Sequence, residues 1–210
     1  MSEVLERGDI RFFYRPRVGA GDVRTLDDVQ RFYVVLRPDG SNRHRVLIVG
    51  RKRLPEPDTH EREWAFVTEV TDRFETDARP AGAGRYALVD HGGHTHLAYV
   101  LAEPSDRSEL ERALKIEPEA SFVIAVRNPE ASAPPGAGLP EHRRAQYPPE
   151  LQERFGGRRF VPVNPPDFLD HAGAELVMIG AAADAERELG IDLDAAAGPF
   201  DPHELLQVTR

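Results

Sequence analysis

The chain has 210 residues, a size that suits one domain or two small packed ones, and it contains no cysteine. The missing cysteines exclude a disulfide framework, a thiolate metal site and a cysteine nucleophile. A net charge of −9 disfavours nucleic acid and anionic membranes as partners. No apolar run approaches the roughly 18–20 residues that span a bilayer, and the first residues carry no signal-peptide pattern, so we expect a cytoplasmic protein.

Alternating and β-branched runs predict four strands in the first third of the chain. They cover residues 10–14, 31–37, 45–49 and 63–70. The turn-rich segment 38–42 joins the second and third of these strands as a hairpin. Gly8-Asp9 predicts the turn that precedes the first strand. Because this part of the chain has almost no helical pattern, it disfavours a regular parallel sheet with crossover helices.

The remainder of the chain mixes strands with short helices. Further strands are predicted at residues 85–90, 95–101, 122–126, 159–163 and 175–179. Helices are predicted at residues 106–115, 150–155, 180–189 and from residue 201 onward. The Gly92-Gly93 pair between two alternating runs is typical of a two-residue hairpin turn.

These elements together predict an α/β protein of the α+β type. We expect a mostly antiparallel curved sheet or small barrel with two or three helices packed against it. We also expect one integrated unit over residues 1–210. If the chain divides, the polar segment 71–84 is the candidate boundary, between a strand-rich half 1–75 and a mixed half 80–210.

Four segments carry a resemblance to a known family. They are Gly8–Arg17, Val49–Pro55, His94–Leu101 and Pro165–Asp170. On these strings the chain resembles a family of uncharacterised proteins seen in bacteria and some fungi. The likeness covers nearly the whole chain and implies one integrated unit, but it implies no particular activity. The glycine spacings of dinucleotide-binding and P-loop proteins are missing, and no Gly-x-Ser-x-Gly motif occurs.

Basic side chains cluster near the ends of two predicted strands. Arg15 and Arg17 follow the first strand, and Arg51 and Arg53 follow the third. The planar guanidinium group suits phosphate and carboxylate because it offers two parallel hydrogen bonds. We therefore expect these four arginines to line one site for a small anionic ligand, phosphorylated or nucleotide-like. The alternative is a solvated strand face whose arginines pair with acidic side chains.

Three of the eight histidines lie around the Gly92-Gly93 turn. In a two-residue hairpin His91 is opposite His94 and Val89 is opposite His96, so the three imidazoles share one face. Three histidines on a zinc or manganese ion leave an open position where water could be activated. A metal-assisted hydrolase is therefore the alternative function. The competing interpretation is that these histidines are ordinary polar residues beside an exposed turn.

Two further segments are candidates for function. Asp167, Asp170 and His171 combine carboxylates with an imidazole, as metal and acid–base sites do, although Asp after Pro165-Pro166 is also an ordinary helix cap. Residues 128–149 are rich in proline, glycine and alanine, and so long a loop in a compact chain is usually functional. A protein-interaction module is therefore a third possibility, and whether the protein is an enzyme is left open.

Overall fold

The computed structural model describes residues 2–74, 76–102, 108–132 and 138–194. Nine strands and three short α-helices form within these ranges. The strands are β1 Ser2–Pro16, β2 Val29–Pro38, β3 His44–Val49, β4 Arg62–Thr71, β5 Arg79–His91, β6 His94–Leu101, β7 Glu119–Arg127, β8 Phe160–Pro162 and β9 Glu175–Ala182. The helices are α1 Glu109–Leu114, α2 Pro149–Gln152 and α3 Ala185–Leu189. Short 3-10 helices form at Leu26–Asp28, Glu141–Arg143, Glu153–Phe155 and Pro166–Asp170.

All strands except β8 close into an antiparallel barrel. Neighbouring strands follow the order β1-β2-β3-β4-β9-β7-β6-β5, and β5 pairs back onto β1. Strand β8 pairs with the end of β7 beyond β6, so that Phe160 is opposite Arg127. Closure pairs both edges of every barrel strand. The predicted antiparallel sheet with a few short helices is therefore confirmed, and the barrel dominates the architecture.

The barrel interior is built from every second residue of the strands. Among the fully buried side chains are the rings of Phe12, Phe32, Tyr99 and Phe122. The ring centroids of Phe12 and Tyr99 are 5.1 Å apart, and those of Tyr99 and Phe122 are 6.2 Å apart. These contacts fill the described interior with side chains, as expected for a barrel of this size. A functional site is therefore expected in the connections at the ends of the barrel.

Both ends of the barrel are closed by connections between strands. At one end, the segments that follow β7 and β8 contribute Leu151, Phe155 and Phe168 to the main apolar core. We call this the loop end; it is closed by residues 138–159 and 163–174. At the opposite end, Leu114 of α1 belongs to the same core, and its carbonyl oxygen accepts a hydrogen bond from the backbone amide of Leu54 (2.9 Å).

Two predicted element boundaries are wrong. Gly8 and Asp9 do not form a turn; they lie inside β1, where a Cβ on Gly8 would be 2.1 Å from the carbonyl oxygen of Arg37. The helix predicted from Gly180 begins at Ala185, because β9 continues beyond the glycine. Gly8 allows the backbones of β1 and β2 to approach closely within the sheet, and Gly180 allows the loop backbone at Glu56 to approach β9.

The sequence also predicts one integrated unit, with residues 71–84 as the candidate boundary if the chain divides. The segment 71–84 runs from the last residue of β4 into the first part of β5, and β5 pairs along β1, so strands from both sides of this candidate boundary share one closed sheet. The helix predicted from residue 201 and residues 133–137 of the Pro-rich segment lie outside the described residues. In the described parts of the chain, no helix is long and apolar enough to cross a membrane.

Candidate functional site

The ends of β1 and β3 lie at the same end of the barrel, because both strands run antiparallel to β2. Arg15, near the end of β1, forms an ion pair with Asp77. Arg17 is exposed and lines a groove of about 450 Å³ together with Lys52. The ammonium group of Lys52 donates to two backbone carbonyl groups near the start of β2. Of the first predicted pair of arginines, Arg17 is thus the one that lines a groove.

The second predicted pair, Arg51 and Arg53, faces carboxylates. Arg53 donates to both carboxylate oxygens of Glu61, with 2.8 Å from Nη1 to Oε2. Arg51 Nη1 lies 3.3 Å from Oε1 of the buried Glu63. The hydrogen bonds from Arg53 lower the pKa of Glu61 to about 2, and burial raises the pKa of Glu63. Since Arg15 is also paired, a common anion site formed by all four arginines stays a prediction, and most of their charge is already balanced.

The histidine hairpin has the predicted register. His91 is opposite His94 and Val89 is opposite His96. The rings of His91 and His96 are 5.8 Å apart on the outer face of the barrel. Within the described residues, however, no group of three or more His, Asp or Glu side chains is placed to hold a metal ion. Zinc or manganese binding by His91, His94 and His96 thus stays a prediction, without support from this geometry.

Two of these histidines lie beside helix α3: His96 faces it directly, and His91 is linked to it through Ser2. Nδ1 of His91 is 2.9 Å from the Ser2 hydroxyl, which donates to the carbonyl oxygen of Leu189 (2.6 Å). His96 is 5% exposed, and its Nδ1 lies 3.9 Å from Oε2 of Glu188. Burial lowers the pKa of His96 and outweighs the opposite effect of the Glu188 charge. In this structure the hairpin is therefore a docking surface for α3.

Asp170 and His171 lie in the wall shared by two clefts at the loop end. The first, which we call the arginine cleft, has a volume of about 460 Å³. Its polar lining consists of Asp170 and His171 together with Thr68, His142, Arg143, Arg144 and Gln146. The second, which we call the neighbouring cleft, has a volume of about 560 Å³ and also includes Asp167. The candidate residues Asp167, Asp170 and His171 thus lie at or beside the boundary of the two clefts.

Asp170 belongs to a buried charge network. Its Oδ1 accepts a hydrogen bond from Nε of Arg45 (2.7 Å), and its Oδ2 accepts one from Nη1 of Arg43 (2.6 Å). Glu6 accepts hydrogen bonds from Arg45 and from the Tyr86 hydroxyl, both at 2.7 Å. Burial opposes the charge of Arg45, but the bonds to Asp170 and Glu6 prevail and raise its pKa. With both its oxygens engaged by arginines, Asp170 is a poor general base or metal ligand.

Two arginines that line the arginine cleft form no ion pair with a described carboxylate. Arg143 is exposed and pairs with no described carboxylate. Arg144 donates to the carbonyl oxygens of Leu139 and Pro129, each at 3.1 Å, and these neutral acceptors leave its charge unbalanced. The one acidic side chain among the described lining residues is Asp170, which is already paired. The charges of the described lining residues therefore favour an anion over a cation.

A close backbone approach positions the two arginines. Gly173 has φ +89°, its amide donates to the carbonyl oxygen of Val67 (2.7 Å), and its carbonyl oxygen accepts from the amide of Ala145 (3.0 Å). A Cβ at this position would lie 2.3 Å from the carbonyl oxygen of Arg143. Glycine is thus required both for the left-handed conformation and for the approach of residues 143–145 to β4.

The Pro-rich loop 128–149 is fastened to the barrel wall. Arg127 and Glu175 form an ion pair in which both side chains are at most 1% exposed. Arg127 also donates to the carbonyl oxygen of Ala131, and Glu175 accepts from the amide of Leu139. Both described parts of the loop are therefore held against the barrel. A role of this loop in binding a protein partner stays a prediction.

The sequence prediction missed Arg143 and Arg144, although His142-Arg143-Arg144 stands out as a basic triplet within the long loop. No protein-family model, curated protein or solved structure matches the chain. Membership of the family of uncharacterised proteins stays a prediction for the same reason. We therefore infer function from the geometry and charge of the two clefts.

Proposed function

We propose that the protein binds a small anionic ligand in the arginine cleft. The observation that carries the proposal is the charge of the cleft wall. Arg143 and Arg144 bring two positive charges, whereas Asp170 is already bonded to two other arginines. The class of ligand is the one expected from the sequence, but the site differs from the cluster of Arg15, Arg17, Arg51 and Arg53.

The lining of the arginine cleft suits recognition of a phosphate or carboxylate group. The arginines supply charge-assisted hydrogen bonds, and His142, His171 and Gln146 supply further polar groups at the same wall. A volume of about 460 Å³ lies within the usual range of small-molecule sites, roughly 300–1,000 Å³. Because Arg43 and Arg45 already engage both oxygens of Asp170, the geometry favours binding over acid–base catalysis.

Calorimetric titration with inorganic phosphate tests this function. We expect Arg143→Ala to weaken phosphate binding by about 1.5–3 kcal/mol, the range for a hydrogen bond to a charged group. The matched control is Arg159→Ala, which removes an exposed arginine that does not line the arginine cleft. Equal losses in both variants, or no phosphate binding by the parent protein, would contradict the proposal.

A further inference from the structure

The two clefts at the loop end point to a ligand larger than a free anion. We propose that the ligand carries one anionic group, which lies in the arginine cleft, and an uncharged apolar body, which crosses the wall formed by Asp170 and His171 into the neighbouring cleft. This inference rests on the proposed function and specifies the class of ligand.

Four apolar residues line part of the neighbouring cleft. Its volume is about 560 Å³, and its apolar lining consists of Val70, Pro148, Leu151 and Pro165. It shares Asp170 and His171 with the arginine cleft, so the two spaces adjoin at these residues. An apolar surface next to a few polar groups is the usual composition of a small-molecule site.

The charges of the neighbouring cleft disfavour a second anionic group. Arg154 forms no ion pair with a described residue, and it lies there beside two acidic side chains, Glu150 and Asp167. Acidic groups therefore outnumber this unpaired cation. The other arginine, Arg43, is bonded to Asp170. A bisphosphate or dicarboxylate would place its second charge beside these carboxylates, whereas an uncharged body would not.

The wall between the clefts is fixed by aromatic packing. The ring of His171 meets that of Tyr147 at 5.2 Å and nearly at right angles. Tyr147 in turn packs against Phe155 (5.8 Å) and Phe168 (5.3 Å), both buried in the core. This packing fixes the position of His171 at the boundary of the two clefts, which limits the entropic cost of binding there.

Two probes that share a phosphate group, inorganic phosphate and phenyl phosphate, test the inference. We expect phenyl phosphate to bind at least about tenfold more tightly than inorganic phosphate, because its ring is removed from water in the neighbouring cleft. Asp167→Tyr, which adds bulk at an exposed position of that cleft, should abolish the preference while leaving inorganic phosphate binding unchanged. Glu153→Tyr adds the same ring at an exposed position outside the cleft and should retain the preference.

The outcomes separate this inference from the proposed function. Equal affinities for the two probes would overturn the apolar body while leaving anion binding intact. A preference that survives Asp167→Tyr would place the ring elsewhere and would also overturn it. If neither probe binds to the parent protein, the proposed function itself fails.

Discussion

Arg45 carries a positive charge into the barrel wall with only 3% of its surface exposed. Removing such a charge from water is costly unless partners with good geometry surround it. Glu6 and Asp170 are those partners, and Asp170 extends the network to the wall of the arginine cleft. The core and the proposed site therefore share one set of hydrogen bonds.

Removal of Arg45 should destabilise the fold strongly. We expect Arg45→Ala to lower the free energy of unfolding by about 3–5 kcal/mol, because Glu6 and Asp170 lose their common cation. Arg43→Ala is the control, since its side chain is 48% exposed and should contribute about 0–1 kcal/mol. Urea denaturation measures both values. Similar losses in the two variants would show that the buried network does not stabilise the barrel.

Two glycines show that residue type alone does not determine local structure. From residue type alone, Gly8 predicts a turn and Gly180 predicts the start of a helix, because glycine is common at turns and at helix ends. Their role here is close packing, since a Cβ on Gly180 would lie 2.0 Å from the carbonyl oxygen of Glu56. The neighbouring backbone comes from a distant part of the chain, so no local pattern reveals it.

At the scale of elements, the strands were predictable because their signals are local. Period-two alternation and the Gly92-Gly93 turn gave the hairpin of β5 and β6 with the observed pairing of His91 and His94. Helix α3 was placed five residues too early, since its position depends on packing against the barrel. Leu189 of this helix packs with Ala87 and Ala98 of the barrel in a small apolar cluster. With so little apolar surface, the polar contacts at its edge matter for docking.

Protonation of His96 should weaken this docking. Burial lowers its pKa, the charges of His91 and His94 act in the same direction, and Glu188 and Asp90 oppose them. The folded state therefore favours neutral His96, and stability should be complete above the unfolded pKa of about 6.5 and decline as the pH falls below it. Unfolding free energies measured on both sides of this value should show the loss.

Two variants isolate the contribution of His96. His96→Gln should reduce the decline on the acid side, because glutamine does not titrate. His94→Gln, at an exposed position of the same hairpin, should retain it. An unchanged pH dependence in His96→Gln would assign the effect to another group.

At the scale of the whole molecule, sequence reasoning proposed the same class of ligand and singled out Asp170 and His171, but it did not single out Arg143 and Arg144, which line the arginine cleft. The reason is the distance along the chain between partners. Asp170 is bonded to residues 125 and 127 positions away, and Arg15 to one 62 positions away. Which arginines are neutralised is decided only when the barrel closes.

The architecture is consistent with placing the proposed site at the loop end. The barrel interior is filled by aromatic and aliphatic side chains, and the connections after β7 and β8 form both clefts. A rigid closed sheet beneath such connections is a common arrangement for binding sites. Since the net charge of −9 disfavours anions over much of the surface, we expect the local excess of arginine at the arginine cleft to determine where an anion binds.

Amide chemical shifts recorded during a titration with inorganic phosphate test where the proposed anion site lies. We predict that the largest changes fall on residues 142–146 and 170–173, which line the arginine cleft. Changes concentrated on residues 15–17 and 51–53 would contradict the account, because the ligand would then bind at the arginines near the ends of β1 and β3. A spectrum unchanged by phosphate would contradict anion binding at either place.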